Sequence, residues 1–282
     1  MVRHRLWFAV AAVVGMVSFV AGTANANHAW GNYHWARTAN PFTVKLGDNV
    51  TSIWDYYLGV SATDWSVTSG ACNNGQNPVR ATVVAGSVTN VKRCTALSGT
   101  VQVCNASYGA NGWLGIASIW ANGDHITQST VKLNDYYFNQ AQYNTPAWRR
   151  MVCEQEVGHA FGLGHQDEIF ANPDLLDACG RGSCMDYSDN PANQGTPNQH
   201  DYDQLVTIYN HLDSFTTLAA GLPFASGPGR GQGMGLGADI DIDTENQAEW
   251  GRPIHFANGR PNVYERDFGG GRKVITHVLW AE

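Results

Sequence analysis

Four residues in the stretch CEQEVGHAFGLGHQDE have the types and spacing of a metal-assisted hydrolase: Gln155, Glu156, His159 and His165. A hydrolytic zinc site needs three protein ligands and an open position. There the ion lowers the pKa of a water molecule to about 7, and a nearby carboxylate takes its proton. On a helix, ligands at i and i+4 lie one turn apart on one face, which suits Gln155 and His159. Glu156 then sits beside them as general base. Gly162 and Gly164 end the helix, and an abrupt glycine turn folds His165 back towards His159. Gln155 departs from the usual donor type, because a neutral amide oxygen is a weaker zinc ligand than imidazole and shifts preference towards harder ions.

The elements that must position these groups can be read on either side. Thr145-Pro146 opens the helix, with threonine as cap and proline at the first helical position. Trp148, Val152, Gln155 and His159 share one face, while Cys153, Val157 and Phe161 line a core-facing one. Upstream, residues 29–35, the PFTVKLGDNV segment, 81–92, 99–106, 112–120 and 129–138 read as strands, and Thr51–Leu58 begins a helix. Downstream, 172–199 is a loop around SCMDYS and 200–213 a helix. Seven of the 18 residues from Gly221 to Ala238 are glycine, which reads as a linker. NVYERDFGGGRKVITHVLW is a hairpin turning at its three glycines. The expected division is 1–26 signal peptide, 27–213 main domain, 214–249 Gly-rich linker and 250–282 a small β-rich C-terminal tail.

The chain has 282 residues, 43% hydrophobic and 15% charged, enough for one large domain with an appendage. A basic MVRHR start, the apolar run Leu6–Gly22 and Ala24-Asn25-Ala26 read as an export signal cleaved after Ala26. Cleavage removes Arg3 and Arg5 and no acid, taking the formal net charge from -7 to -9. That balance excludes nucleic acid as a partner, and no other run is long enough to span a membrane once the signal is gone. All six cysteines lie beyond the signal, and an even number in an exported chain implies three disulfides. Cys94 pairs with Cys104 across a short hairpin. Cys153 pairs with Cys184, tying two halves of one site together, with Cys179–Cys184 as the rival.

The motif resembles that of the metzincin clan of zinc peptidases, and within it the matrixin-like families, with Gln155 in place of the first histidine of H-E-x-x-H-x-x-G-x-x-H. Ser183-Cys184-Met185-Asp186-Tyr187 resembles the clan's methionine turn, which implies Met185 as the supporting thioether beneath the metal and Tyr187 as a contact of the metal or transition state. HDYDQLVTIYNHLD is similar to the closing helix. GWLGIASIW resembles the edge strand of the cleft, to which substrate backbone adds as a further strand. The likeness is closest over 145–213, looser over 29–144, and does not reach the tail. It also departs in having no room for an inhibitory propeptide between Ala26 and the first strand.

The expected fold is α+β: a twisted mixed sheet over the active-site helix, then the methionine turn and a closing helix. The expected function is a secreted, monomeric zinc metalloendopeptidase acting on extracellular protein or peptide. Zn2+ is held by His159, His165 and Gln155, with Glu156 and Tyr187 catalytic; Asp167 is set aside as a substitute ligand, since the third position is already filled. The rivals are an inactive pseudoprotease serving as an extracellular binding module, for which Gln155 speaks, and a disulfide-built envelope protein. His28, His34, His125, His200, His211, His255 and His277 lack ligand spacing and read as surface or core residues.

Overall fold

The computed structural model describes residues 28–68, 75–170, 172–219 and 240–281. The expected signal segment 1–26 and most of the expected linker 214–249 lie outside these. The elements in order are β1 (His34–Trp35), β2 (Phe42–Asn49), α1 (Ser52–Asp64), β3 (Val79–Ala85), β4 (Thr100–Ala106), β5 (Trp113–Asn122), β6 (His125–Asn134), α2 (Asp135–Phe138), α3 (Pro146–His159), α4 (Gln199–Ile208), β7 (Arg252–Ala257), β8 (Arg260–Asp267) and β9 (Arg272–Trp280). This is an α+β arrangement: one large mixed sheet and few helices. Among the described residues no helix is long and apolar enough to cross a membrane.

The strands follow the order β3-β2-β4-β6-β5-β9-β8-β7, with β1 added to the start of β6. β3, β2, β4 and β6 pair in parallel, and β6 onward is an antiparallel ladder. A parallel pair needs a crossover, and α1 supplies it between β2 and β3. α3 packs on α1 and on the sheet at β5, β6 and β9. Between them lies one apolar cluster that includes Trp35, Trp54, Trp65, Phe138, Val157, Phe161, Ile275 and Leu279.

Local chemistry explains most element ends. Thr145 accepts a hydrogen bond from Trp148 N and Pro146 takes the first turn of α3. The segment 129–138, read as a strand, divides in two, because the Asn134 side chain accepts from Tyr136 N and starts α2. The strand expected over 81–92 stops at Ala85. The helix expected over 200–213 stops at Ile208, which leaves His211 and Asp213 in the following loop.

Two expectations are corrected. The strand GWLGIASIW is not an edge: β9 pairs antiparallel along β5 from Trp113↔Trp280 to Asn122↔Arg272. An apolar strand exposes a row of unpaired backbone groups, and β9 satisfies them. The tail therefore continues the main sheet. The Cys153–Cys184 bridge is also absent. Both thiols are free and buried in the apolar cluster, where a thiol packs as a small hydrophobe, so the rival Cys179–Cys184 bridge and the three-disulfide set fall as well. Cys94–Cys104 is bonded as expected, and Cys179 is disulfide-bonded.

Burial pushes both free thiols well above the ordinary range, which makes them unreactive in the folded chain. Alkylation without reductant should leave Cys153 and Cys184 unmodified in native protein and label both after denaturation, as read by peptide mass mapping. Recovery of a Cys153–Cys184 disulfide peptide would contradict the fold.

Candidate metal centre

α3 ends at His159, and three residues later Gly162, at φ +95°, reverses the chain. A side chain there would strike the Tyr33 carbonyl and require the left-handed conformation, so glycine alone fits the turn. The reversal brings His165 back, and the two Nε2 atoms stand 3.0 Å apart.

The outer nitrogen of each ring is committed. His159 Nδ1 lies 2.7 Å from the Leu163 carbonyl, which can only accept, so Nδ1 carries the proton. His165 Nδ1 lies 2.6 Å from Glu168 Oε1 and is fixed in the same way. Both Nε2 lone pairs then face one another. Burial drives both rings towards the neutral form, reinforced for His159 by His165 beside it.

The third member is His277, from β9. It pairs with Ala117 in the β5 ladder, its ring stacks on His159 at 4.1 Å, and neither ring nitrogen has a hydrogen-bond partner. Burial again pushes it well towards neutral. One nitrogen from each of His159, His165 and His277 lies within 4.8 Å of the others. Neutral imidazoles brought this close suit a divalent zinc-type ion, and His159 and His165 have their outer nitrogens fixed as such a site requires.

The other expected residues are placed as follows. Glu156 is fully buried against β5, where a Cβ on Gly115 would come within 2.5 Å of its Oε1, and its carboxylate has no hydrogen-bond partner. Burial holds its pKa well above the usual range. Gln155 is buried one turn before His159, and its amide makes no hydrogen bond, to the imidazoles or otherwise. Tyr187 packs its ring on His165 at 4.5 Å, and its hydroxyl accepts from Asn262 Nδ2 at 3.2 Å. Met185 lies under α3, where a Cβ on Gly158 would meet its sulfur at 2.6 Å. Asp167 is used locally, accepting from Ile169 N and Asn172 Nδ2.

One buried carboxylate ties this frame together. Asp201, at the start of α4, accepts from Ser183 Oγ, Gln166 Nε2 and Asn198 N, and contacts His28 Nε2 at 3.1 Å. Met185 N in turn donates to Ser183 Oγ, and Gln166 N to the Met185 carbonyl. The segments on either side of the histidine cluster are thereby held to one helix end.

Sequence spacing missed His277, Glu168 and Asn262. His277 belongs to a strand at the far end of the chain. Its only signal is a histidine at the inward position of the apolar alternation VITHVLW. Glu168 stands three residues after His165, close enough to have been tested as its carboxylate partner. A cavity of about 590 Å³, lined in part by His28, Trp30, Glu168, His255 and Val263, reaches His165 and His277. No family model and no curated protein matches the sequence.

Two outcomes follow. His277→Ala should lower zinc affinity by at least about 100-fold, since losing a direct ligand costs more than the roughly 10–100-fold lost with outer partners. Gln155→Ala should lose far less, and metal content after dialysis against buffered zinc separates the two. The second concerns pH. A buried imidazole whose folded pKa is depressed takes up protons less readily than in the unfolded chain. Metal-stripped protein should therefore lose stability as pH falls below about 6.5, by up to about 1.4 kcal/mol per pH unit for each imidazole kept neutral. Denaturant titrations from pH 8 to 5 measure the slope, and His277→Ala should reduce it.

Proposed function

We propose that the protein is an exported zinc metalloendopeptidase of metzincin type, with His159, His165 and His277 as the metal-holding set and Glu156 as general base. Residues 1–26 would be the export signal, and extracellular protein or peptide the substrate. The observation that carries the reading is the convergence of the His159, His165 and His277 imidazoles, with a buried, unpartnered Glu156 on the helix that carries His159. The mixed sheet over α3, the buried Met185 below that helix and the closing α4 support the metzincin likeness. His277 compensates for the weak donor Gln155, which becomes a buried neighbour of the set.

Zinc bound there would polarise a peptide carbonyl and lower the pKa of a water molecule to about 7. Glu156 takes the proton released in hydrolysis and returns it to the leaving amine. Its burial favours the uptake, because the protonated form is the stable one in a dry site. Glu168 and the Leu163 carbonyl hold the two α3-side imidazoles in the tautomer that presents Nε2. Tyr187, oriented by Asn262, keeps a hydroxyl near His165. The cavity lined by His28, Glu168 and His255 is the route by which substrate reaches the cluster.

A second reading is favoured by one observation. β9 fills the β5 edge on which a substrate strand would lie in the family resembled. The protein would then be a metal-holding binding module with the metzincin frame and no turnover. Zinc-loaded full chain, incubated with casein or gelatin, decides between them. The peptidase reading expects cleavage, a loss of about 100-fold or more in Glu156→Gln with zinc retained, and cleavage abolished by chelator. Loaded wild type that holds zinc and leaves both proteins intact would leave the binding module standing.

A further inference from the structure

A second group of histidines converges beyond the C-terminal end of α4. His34 on β1 and His125 at the start of β6 are register partners in a parallel pair. His211 and Asp213 come from the loop that follows α4. His34 Nε2 lies 3.1 Å from His211 Nε2 and 3.6 Å from Asp213 Oδ1. His125 Nε2 lies 3.2 Å, and His211 Nε2 3.9 Å, from the same carboxylate oxygen. Zinc–ligand bonds of roughly 2.0–2.2 Å set donors about 3.3–3.5 Å apart at the corners of a tetrahedron. The observed 3.1–3.9 Å separations bracket that edge.

The outer atoms of this group are also committed. His34 Nδ1 is 2.6 Å from the Asn32 carbonyl, which only accepts, so Nδ1 carries a proton and Nε2 is the atom turned into the group. Asp213 Oδ2 accepts from Arg37 N and Arg37 Nη1, both at 3.1 Å, which aims Oδ1 at the imidazoles. Arg37 Nη2 also donates to the His211 carbonyl, holding the loop on which two of the donors sit. His125 is packed edge-on against Phe215 and His34 against Tyr209. The His34 and Asp213 side chains are 7% and 8% exposed while His211 is 45% exposed, so the group is anchored inside and reached from solvent at one corner.

We propose that His34, His211 and Asp213 form a second, structural site for a zinc-type divalent cation, with His125 outside the ligand set and bonded to the same Asp213 oxygen. The three donor atoms lie within 4.8 Å of one another, and a water molecule would complete a four-coordinate shell. Two imidazoles and one carboxylate suit zinc better than calcium or magnesium, which favour all-oxygen shells. The ion would clamp the N-terminal strand to the loop after α4. Its effect is on folding: binding to the native state alone stabilises it.

The test compares full-length wild type with His211→Ala, a replacement at the exposed corner that should not disturb packing, and with Asp213→Asn. Each is stripped with chelator, reloaded with zinc or cobalt, and assayed for bound metal and thermal midpoint. Wild type should bind one equivalent more than His211→Ala. Zinc should raise its midpoint further, and Asp213→Asn should weaken the extra equivalent at least tenfold. Reloaded with cobalt, wild type should show strong visible absorption of a four-coordinate ion beyond that of His211→Ala. The comparison is internal to each preparation, so it holds whether or not the His159 centre binds metal. Equal metal content and equal zinc-induced shifts in wild type and His211→Ala would overturn the proposal and leave a histidine cluster held by hydrogen bonds alone.

Discussion

Two lone pairs aimed at each other across 3.0 Å repel unless a positive charge lies between them, and the interior around His159 and His165 is arranged around that fact. A proton on either inner nitrogen would relieve the repulsion, but burial makes a charged imidazole unfavourable. A divalent ion relieves it with far more favourable interactions. The rest of the frame keeps the two rings facing. Gly162 turns the chain, Leu163 and Glu168 hold the outer nitrogens, and Asp201 anchors the turns on either side.

The position of the tail follows from the same constraint. β9 gains a full antiparallel ladder along β5, and it delivers His277 to the one face where an unpaired buried imidazole can find a partner. Backbone pairing supplies the register and the side chain supplies the chemistry. A slip of one residue would turn His277 to the opposite face and put Thr276 or Val278 towards α3. Asn262 on β8 shows the same coupling, since it donates to both Glu168 and Tyr187.

Local chemistry was legible in the sequence, and chemistry assembled by strand pairing was not. Thr145-Pro146 marks the start of α3, the glycines mark its end, and the Cys94–Cys104 bridge follows from a ten-residue separation. Gln155, Glu156, His159 and His165 could be singled out because helical periodicity relates them directly. His277 could not, because its place depends on which strand β9 chooses to pair with, a question decided by the exposed apolar edge of β5. His34 and His125 are likewise adjacent only through a parallel register, and His211 and Asp213 read as part of a helix that in fact stops at Ile208. The Cys153–Cys184 expectation treated cysteine as a crosslinker, whereas complete burial in an apolar cluster makes each a packing residue.

Once β9, β8 and β7 extend the sheet, its outer margin passes to β7, and that strand is poorly suited to recruiting another. It carries Arg252 and Pro253 at its start, and its register with β8 slips twice, between Pro253 and His255 and again at Phe256. Proline withholds a donor, a bulge twists the row of amides out of line, and a charged end repels a like neighbour. Ile254 and Phe256 can therefore remain exposed without offering a flat template. The long apolar strand β5, which would be the sheet's most self-associating element if left bare, is buried three strands deep. The tail thus protects the chain against edge-to-edge aggregation.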